Sequence, residues 1–337
     1  SFPNLVSVLE GLVPQMSQKS AQRTLRALSL AESGTESEPD QNKGLNSLAN
    51  ALSERLRVDM ARSGQEDMAR SRDETASQRT KLSMHQMHTL VTTWHHCCEL
   101  LNVGVCVPAG FDAGAAALDA LATDGDFVSA PAIVAAKAVT SAAASLRHGV
   151  MTNNTRVCVS LKLATCRARE WHPQLFVDTA PHVATLIDRA AEAAPDDTCD
   201  TLHEDTSGTY IACANAMFSA LLGVPKETRV PKPNRASRPT PGGASPMVVT
   251  TPTRMVDGLD AAQLTVASRA LARIAERVGS GSDIVTVDPR ALLTALRDAA
   301  ARTRPFATRD QEATTELALA RIEAAARLPP ENTSRID

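Results

Sequence analysis

Aromatic residues are scarce in this chain: its 337 residues include six Phe, two Trp and one Tyr. Sheets draw on aromatic and β-branched side chains, so a 43% hydrophobic fraction carried mainly by Ala, Leu and Val points to packed helices rather than a β-sandwich. The same scarcity argues against a protein that binds single strands by stacking bases, which needs Phe, Tyr or Trp platforms. No stretch reaches the roughly 18 uninterrupted apolar residues of a bilayer-spanning helix, so no membrane insertion is expected. Also missing are a GxGxxG or Walker-type glycine loop, a GxSxG elbow and a CxxC pair. Gly279-Ser280-Gly281-Ser282 lacks the Gly-Lys-Ser/Thr ending that would set a lysine on a phosphate, and reads as a loop. No set of titratable groups converges, so the chain is expected to be non-catalytic, with no cofactor and no small-molecule substrate. Its seven cysteines form no even framework and read as reduced thiols, which fits a reducing compartment.

What is present is helical periodicity. Met84, Met87, Val91, Trp94, Cys98 and Leu101 recur at three- and four-residue steps, as do Phe176, Ala180, Val183 and Ile187, and again Leu264, Ala267, Leu271, Ile274 and Val278. Val107-Pro108, His172-Pro173 and Asp288-Pro289 mark helix starts, since proline costs nothing at the first helical position. The helices also read as pairs. Residues 162–171 are followed by 172–176, residues 268–274 by 288–296, and residues 3–9 by 20–30. From Ala262 to Thr308, where the next long helix would begin, the step is 46 residues. The expected fold is therefore all-α: a solenoid-like array of antiparallel helix pairs joined by long irregular linkers, with each pair burying its apolar face on the next.

Composition divides the chain into N-terminal helix pairs over 1–61 with an acidic linker at 31–44, a polar segment at 62–80, central repeats over 81–223, a proline-rich arm at 224–256, C-terminal repeats over 257–328 and a tail at 329–337. The polar segment is either a solvated helix or a flexible link. Seven prolines in the arm exclude a helix or a central strand there.

His95-His96-Cys97-Cys98 is the first place to look for a metal. Four consecutive helical residues fan around the axis, so useful ligand pairs are His95 with Glu99, or His88 with His95. The cysteines belong to the apolar side and His88, Thr92, His95 and Glu99 to the polar side, so no metal site is expected.

The net charge of −3 hides an asymmetry. Residues 224–337 carry 17 Lys/Arg against 13 Asp/Glu, and the rest of the chain is net acidic. In the arm, Lys226, Arg229, Lys232, Arg235, Arg238 and Arg254 face Glu227 alone, a composition suited to lying along a phosphate backbone or an acidic protein groove. Arg269, Arg273 and Arg277 step by four along one helix, and Arg290 and Arg297 by seven along the next. Stacked, these rows would line one surface for RNA or acidic partners.

The phrase SerLeuLysLeuAlaThrCysArgAlaArgGluTrpHisProGlnLeuPhe (160–176), ending ThrAlaProHisVal (179–183), resembles the degenerate helical repeats of mitochondrial FAST-kinase-like and RAP-type RNA-metabolism proteins. Residues 287–296 and 22–30 are similar. The resemblance covers about half of the chain, and the excess of Arg over Lys is similar to kinetoplastid usage. It implies an α-solenoid of the mitochondrial matrix, within a ribonucleoprotein: a mitoribosome component or assembly factor that binds neighbouring proteins and rRNA. Membership of an RNA-editing or processing complex, or a pure adaptor role in another mitochondrial complex, are the alternatives. No C-terminal RAP-like domain is visible, so that domain's nuclease activity is not implied.

Overall fold

The computed structural model describes residues 2–31, 39–70, 83–102, 104–124, 127, 129–151, 153–192, 206–223, 254–279 and 289–327. The described residues are all-α, with no strand among them. The helices are α1 (Phe2–Leu12), α2 (Gln18–Ala31), α3 (Pro39–Arg70), α4 (Met84–Leu101), α5 (Pro108–Asp124), α6 (Ala132–Arg147), α7 (Asn154–Arg167), α8 (Pro173–Glu192), α9 (Thr206–Leu222), α10 (Ala261–Gly279), α11 (Pro289–Thr303) and α12 (Arg309–Arg327).

Local chemistry explains most helix starts. Proline opens α5, α8 and α11, where its missing N–H would have been unpaired in any case. Three other helices open on reciprocal caps. Ser83 N–H donates to Gln86 Oε1 at 2.7 Å while Gln86 N–H donates back to Ser83 Oγ. Asp260 with Gln263 and Thr308 with Gln311 repeat the arrangement at the starts of α10 and α12. The helix α8 runs straight through Pro181 at the cost of one backbone N–H.

The three apolar stripes behave differently at their ends. Phe176, Ala180, Val183 and Ile187 are fully buried, as are Ala267, Leu271 and Ile274, with Leu264 and Val278 at 1%. In α4, Met87, Val91, Trp94 and Cys98 are buried, but Met84 is exposed and Leu101 only half-buried. The acidic linker needs correction, and the described part of the polar segment takes the helical of its two readings. A single helix, α3, covers the last part of the expected acidic linker and the first part of the polar segment, so 39–44 and 62–70 are helical. Residues 32–38 and 71–82 lie outside the described residues. Ion pairs at three- and four-residue spacing, such as Arg57 with Glu54 and Arg55 with Asp59, support a helix this polar.

Contacts divide the chain into two compact units, one of 1–166 with 185–210 and one of 167–184 with 211–337, which splits the expected central block. In the first, Val6, Leu25, Leu48, Leu52, Leu56, Leu100 and Val105 share one core. The first four helices there each pack on the second one along, α1 on α3, α2 on α4, α3 on α5 and α4 on α6, and on sequence neighbours as well, α4 on α5 and α2 on α3. Cross-links give the directions. Gln18 meets Thr89 and Ser29 meets His96, so α2 and α4 run parallel. Ser141 meets His95 and Ser145 meets Cys98, so α4 and α6 run parallel as well, at sequence offsets of 46 and 47. Gly110 and Gly114 leave room for α5 to lie directly against Cys97 and Trp94 of α4.

The second unit repeats the pattern. There α10 packs along α12, with Thr265 against Thr315 at an offset of 50 and Glu276 against Arg321 at 45. Gly279, at the end of α10, abuts the Ala325 backbone. Alternate helices are thus parallel neighbours, but the linked residues stand 67–71 positions apart in α2/α4, 46–47 in α4/α6 and 45–50 in α10/α12. The step of 46 read from Ala262 to Thr308 therefore does not recur as one constant step among the described residues.

Candidate functional site

Of the basic residues singled out from the sequence, six fall among the described residues. Lys226, Arg229, Lys232, Arg235 and Arg238 lie outside the described residues. Arg254, expected on a free arm, is instead a clasp. Its guanidinium forks onto Asp257 at 3.2 Å through both Nε and Nη2, its own N–H donates to Asp257 Oδ2, and Asp298 of α11 stands 3.7 Å away. Arg302 completes the clasp, donating to Asp257 at 3.1 Å and to the Val256 carbonyl. The expected arm therefore ends in a short 3-10 turn, Met255–Gly258, with Met255 and Val256 buried.

The arginine rows need the same correction. Arg297 donates to Glu323 of α12 at 2.6 Å. Arg273, Arg277 and Arg290 each engage a neighbouring group. Arg269 alone of these five is exposed without a partner among the described residues. Sequence spacing could not show the acid that α12 brings to Arg297. Neutralised in this way, that arginine has little left to offer a phosphate.

Between α10, α11 and α12 lies a groove of about 380 Å³. Leu264, Ala300, Ala301 and Leu319 line it, and the Arg297–Glu323 and Arg304–Glu312 pairs stand at its edge. Alanine and leucine side chains make part of its wall apolar, and Glu312, Glu316 and Glu323 line it as well. Two of its threonine hydroxyls, Thr265 and Thr315, are bonded to each other at 3.1 Å. Its chemistry suits an inserted aliphatic side chain.

The polar stripe of α4 holds the other cluster. His95 Nε2 lies 3.5 Å from Glu99 Oε1, the pair expected from its spacing, but the stronger partner is His96, whose Nδ1 is 2.9 Å from Glu99 Oε2. His96 is buried and also reaches Ser29 of α2 at 3.3 Å, while His95 reaches Ser141 of α6 at 3.5 Å. Glu99 is thus a brace between the helices flanking α4. Among the described residues no group of three or more His, Cys, Asp or Glu side chains has a metal-binding arrangement. The His96 hydrogen bond, aided by the nearby His95 charge against some burial, holds the Glu99 carboxyl down at about 2. Burial pushes the adjacent thiols the other way, Cys97 up to about 12 and Cys98 to about 11, so neither is a nucleophile.

The Glu99 brace has a pH signature. Its folded pKa lies below the unfolded value, so its stabilisation is present above pH ~4.5 and is lost as pH falls toward 2. Because the side chain is 39% exposed, solvent screening reduces the contribution to about 1 kcal/mol. Glu99→Gln is expected to be destabilised by that amount in urea melts at pH 5.5 and to match the parent at pH 2. An equal deficit at both pH values would assign the effect to packing instead.

Compared with protein families, with curated proteins and with solved structures, the chain matches none.

Proposed function

We propose that the chain is a non-catalytic scaffold of a mitochondrial ribonucleoprotein, a mitoribosome component or assembly factor that holds neighbouring proteins and contacts rRNA. The observation that carries this reading is the parallel stacking of alternate helices, α2 with α4, α4 with α6 and α10 with α12, whose linked residues stand 67–71, 46–47 and 45–50 positions apart. Such stacking supports a solenoid-like array, because there each added unit buries its face on the one before and presents the same face outward. Arrays of this kind bind extended partners over broad surfaces. The groove and the exposed Phe306 and Leu317 of the second unit supply protein contacts. The mitochondrial setting rests on the resemblance of residues 160–176 and 287–296 to organellar RNA-metabolism repeats, and RNA contact rests on the basic composition of 224–254.

The ion-paired arginines of α11 and α12 favour a second reading, a pure protein adaptor. A salt titration separates the two. The full chain is expected to bind a short RNA duplex, and replacing Lys226, Arg229, Lys232, Arg235 and Arg238 by alanine should weaken binding and flatten the plot of log affinity against log salt by roughly 0.7 to 0.9 per lost phosphate contact. An unchanged slope removes the arm from the RNA site. Absence of RNA binding by the parent leaves the adaptor.

A further inference from the structure

The first unit is net acidic by sequence, yet three of its helices form a face of the opposite sign. Neither α2 nor α6 contains an Asp or Glu, and α4 contains Glu99 alone. The hydrogen bonds already described put α2 on one side of the α4 polar stripe and α6 on the other. Arg26 of α2 and Lys137 of α6 are close enough across α4 to repel one another, and Lys137 also acts on His88. The face therefore runs from Lys19 and Arg26 through His85, His88 and His95 to Lys137.

Its cations differ from those of the second unit in one decisive respect. Arg297, Arg302, Arg304 and Arg321 each have a carboxylate within bonding distance. The side chains of Lys19, Arg23 and Arg26 have no partner among the described residues. Among the described residues of these three helices the one carboxylate is Glu99, which is bonded to His95 and His96 and also attracts Lys137. One carboxylate among so many cations leaves an excess of positive charge that is relieved when an anion arrives.

We propose that this α2/α4/α6 face is a phosphate-contacting RNA surface. The proposal rests on the RNA-binding side of the function given above but places contact in the first unit, on ordered helices, apart from the 224–254 arm. A phosphate backbone suits the face better than an acidic protein because its middle, at His88, His95 and Lys137, has no aliphatic or aromatic anchor of the kind that dominates protein interfaces. The exposed aliphatics of these helices stand at their ends, Leu30 at the close of α2 and Met84 and Ile133 at the starts of α4 and α6. Scarcity of aromatics is no handicap, since backbone contact requires only charge and hydrogen-bond donors.

The test uses the full chain and a fluorescently labelled short RNA duplex of mixed sequence, titrated at several salt concentrations. Arg26→Ala with Lys137→Ala is expected to weaken binding about tenfold and to flatten the salt slope by roughly 1.4 to 1.8, two phosphate contacts' worth. Lys137 is half-buried, so a second variant, Lys19→Ala with Arg26→Ala, changes only exposed side chains and should also weaken binding and flatten the slope. Arg26→Lys with Lys137→Arg should retain the parent slope. If the parent binds RNA and both alanine variants match it, the face is overturned while the arm stands. If the parent binds no RNA, both fall. If a poly-glutamate peptide binds in place of RNA and is lost with the same substitutions, the occupant is an acidic protein and the RNA assignment is overturned.

Discussion

Gly114→Ala is expected to destabilise the first unit by about 3 kcal/mol, although alanine is the better helix former by about 1 kcal/mol. The added methyl would stand 2.5 Å from Cγ and 2.6 Å from Cε2 of the Trp94 indole. The ring cannot retreat. It is 2% exposed, and its Nε1 donates to Ser145 of α6 at 3.0 Å, so α5 would have to lift off α4. Urea unfolding followed by Trp94 fluorescence in a Trp171→Phe background reads the shift. Gly11→Ala is the matched control: nothing lies within 4 Å of its added carbon, and it should gain a few tenths of a kcal/mol to about 1. Opposite signs for the two substitutions are the expected result. A stabilised Gly114→Ala would mean that α4 and α5 do not approach as described.

Phe176→Ala is expected to cost the second unit about 3 to 5 kcal/mol. Phe176 is fully buried and is among the largest enclosed side chains in the chain, so the loss combines the transfer energy of the ring with the cavity left behind. Trp171, five residues earlier and 1% exposed, reports on the same unit in a Trp94→Phe background. Separate reporters matter because a chain of two units need not unfold in one step. Phe176→Leu should recover more than half of the loss. A deficit below 1 kcal/mol for Phe176→Ala would remove α8 from the core.

Much of this fold was legible in the sequence, for reasons that individual residues make plain. Proline at 108, 173 and 289 carries an unambiguous local meaning, and three helices begin on those residues. The stripes at 176–187 and 264–278 are read correctly because burial on one side of a helix imposes its own period. By contrast, α3 has no such stripe over 62–70, and a helix held by its own ion pairs and by its N-terminal neighbours looks like a linker in composition.

The candidate site was less legible. Spacing placed His95 beside Glu99, but His96, one residue on, is the closer partner because Ser29 of α2 draws it inward. Arg254 and Arg297 looked like ligands for phosphate, but Arg254 is paired with Asp257, three residues on, and stands near Asp298 of α11, while Arg297 is paired with Glu323 of α12. A net acidic count over residues 1–223 likewise concealed a cationic face, since charge averaged along a chain says nothing about which helices stand side by side.

The buried side of α6 consists of six alanines, two serines and two valines, and alanine is the commonest residue in the described core. Methyl groups fill space well but cover little area, so unfolding exposes less apolar surface per residue than a leucine-rich interior would. The heat capacity of unfolding follows that area, at about 0.45 cal/K/mol per Å² of apolar surface. A core of this composition therefore has a shallow stability curve, with a margin that changes little between cold and warm conditions and with weak cold denaturation.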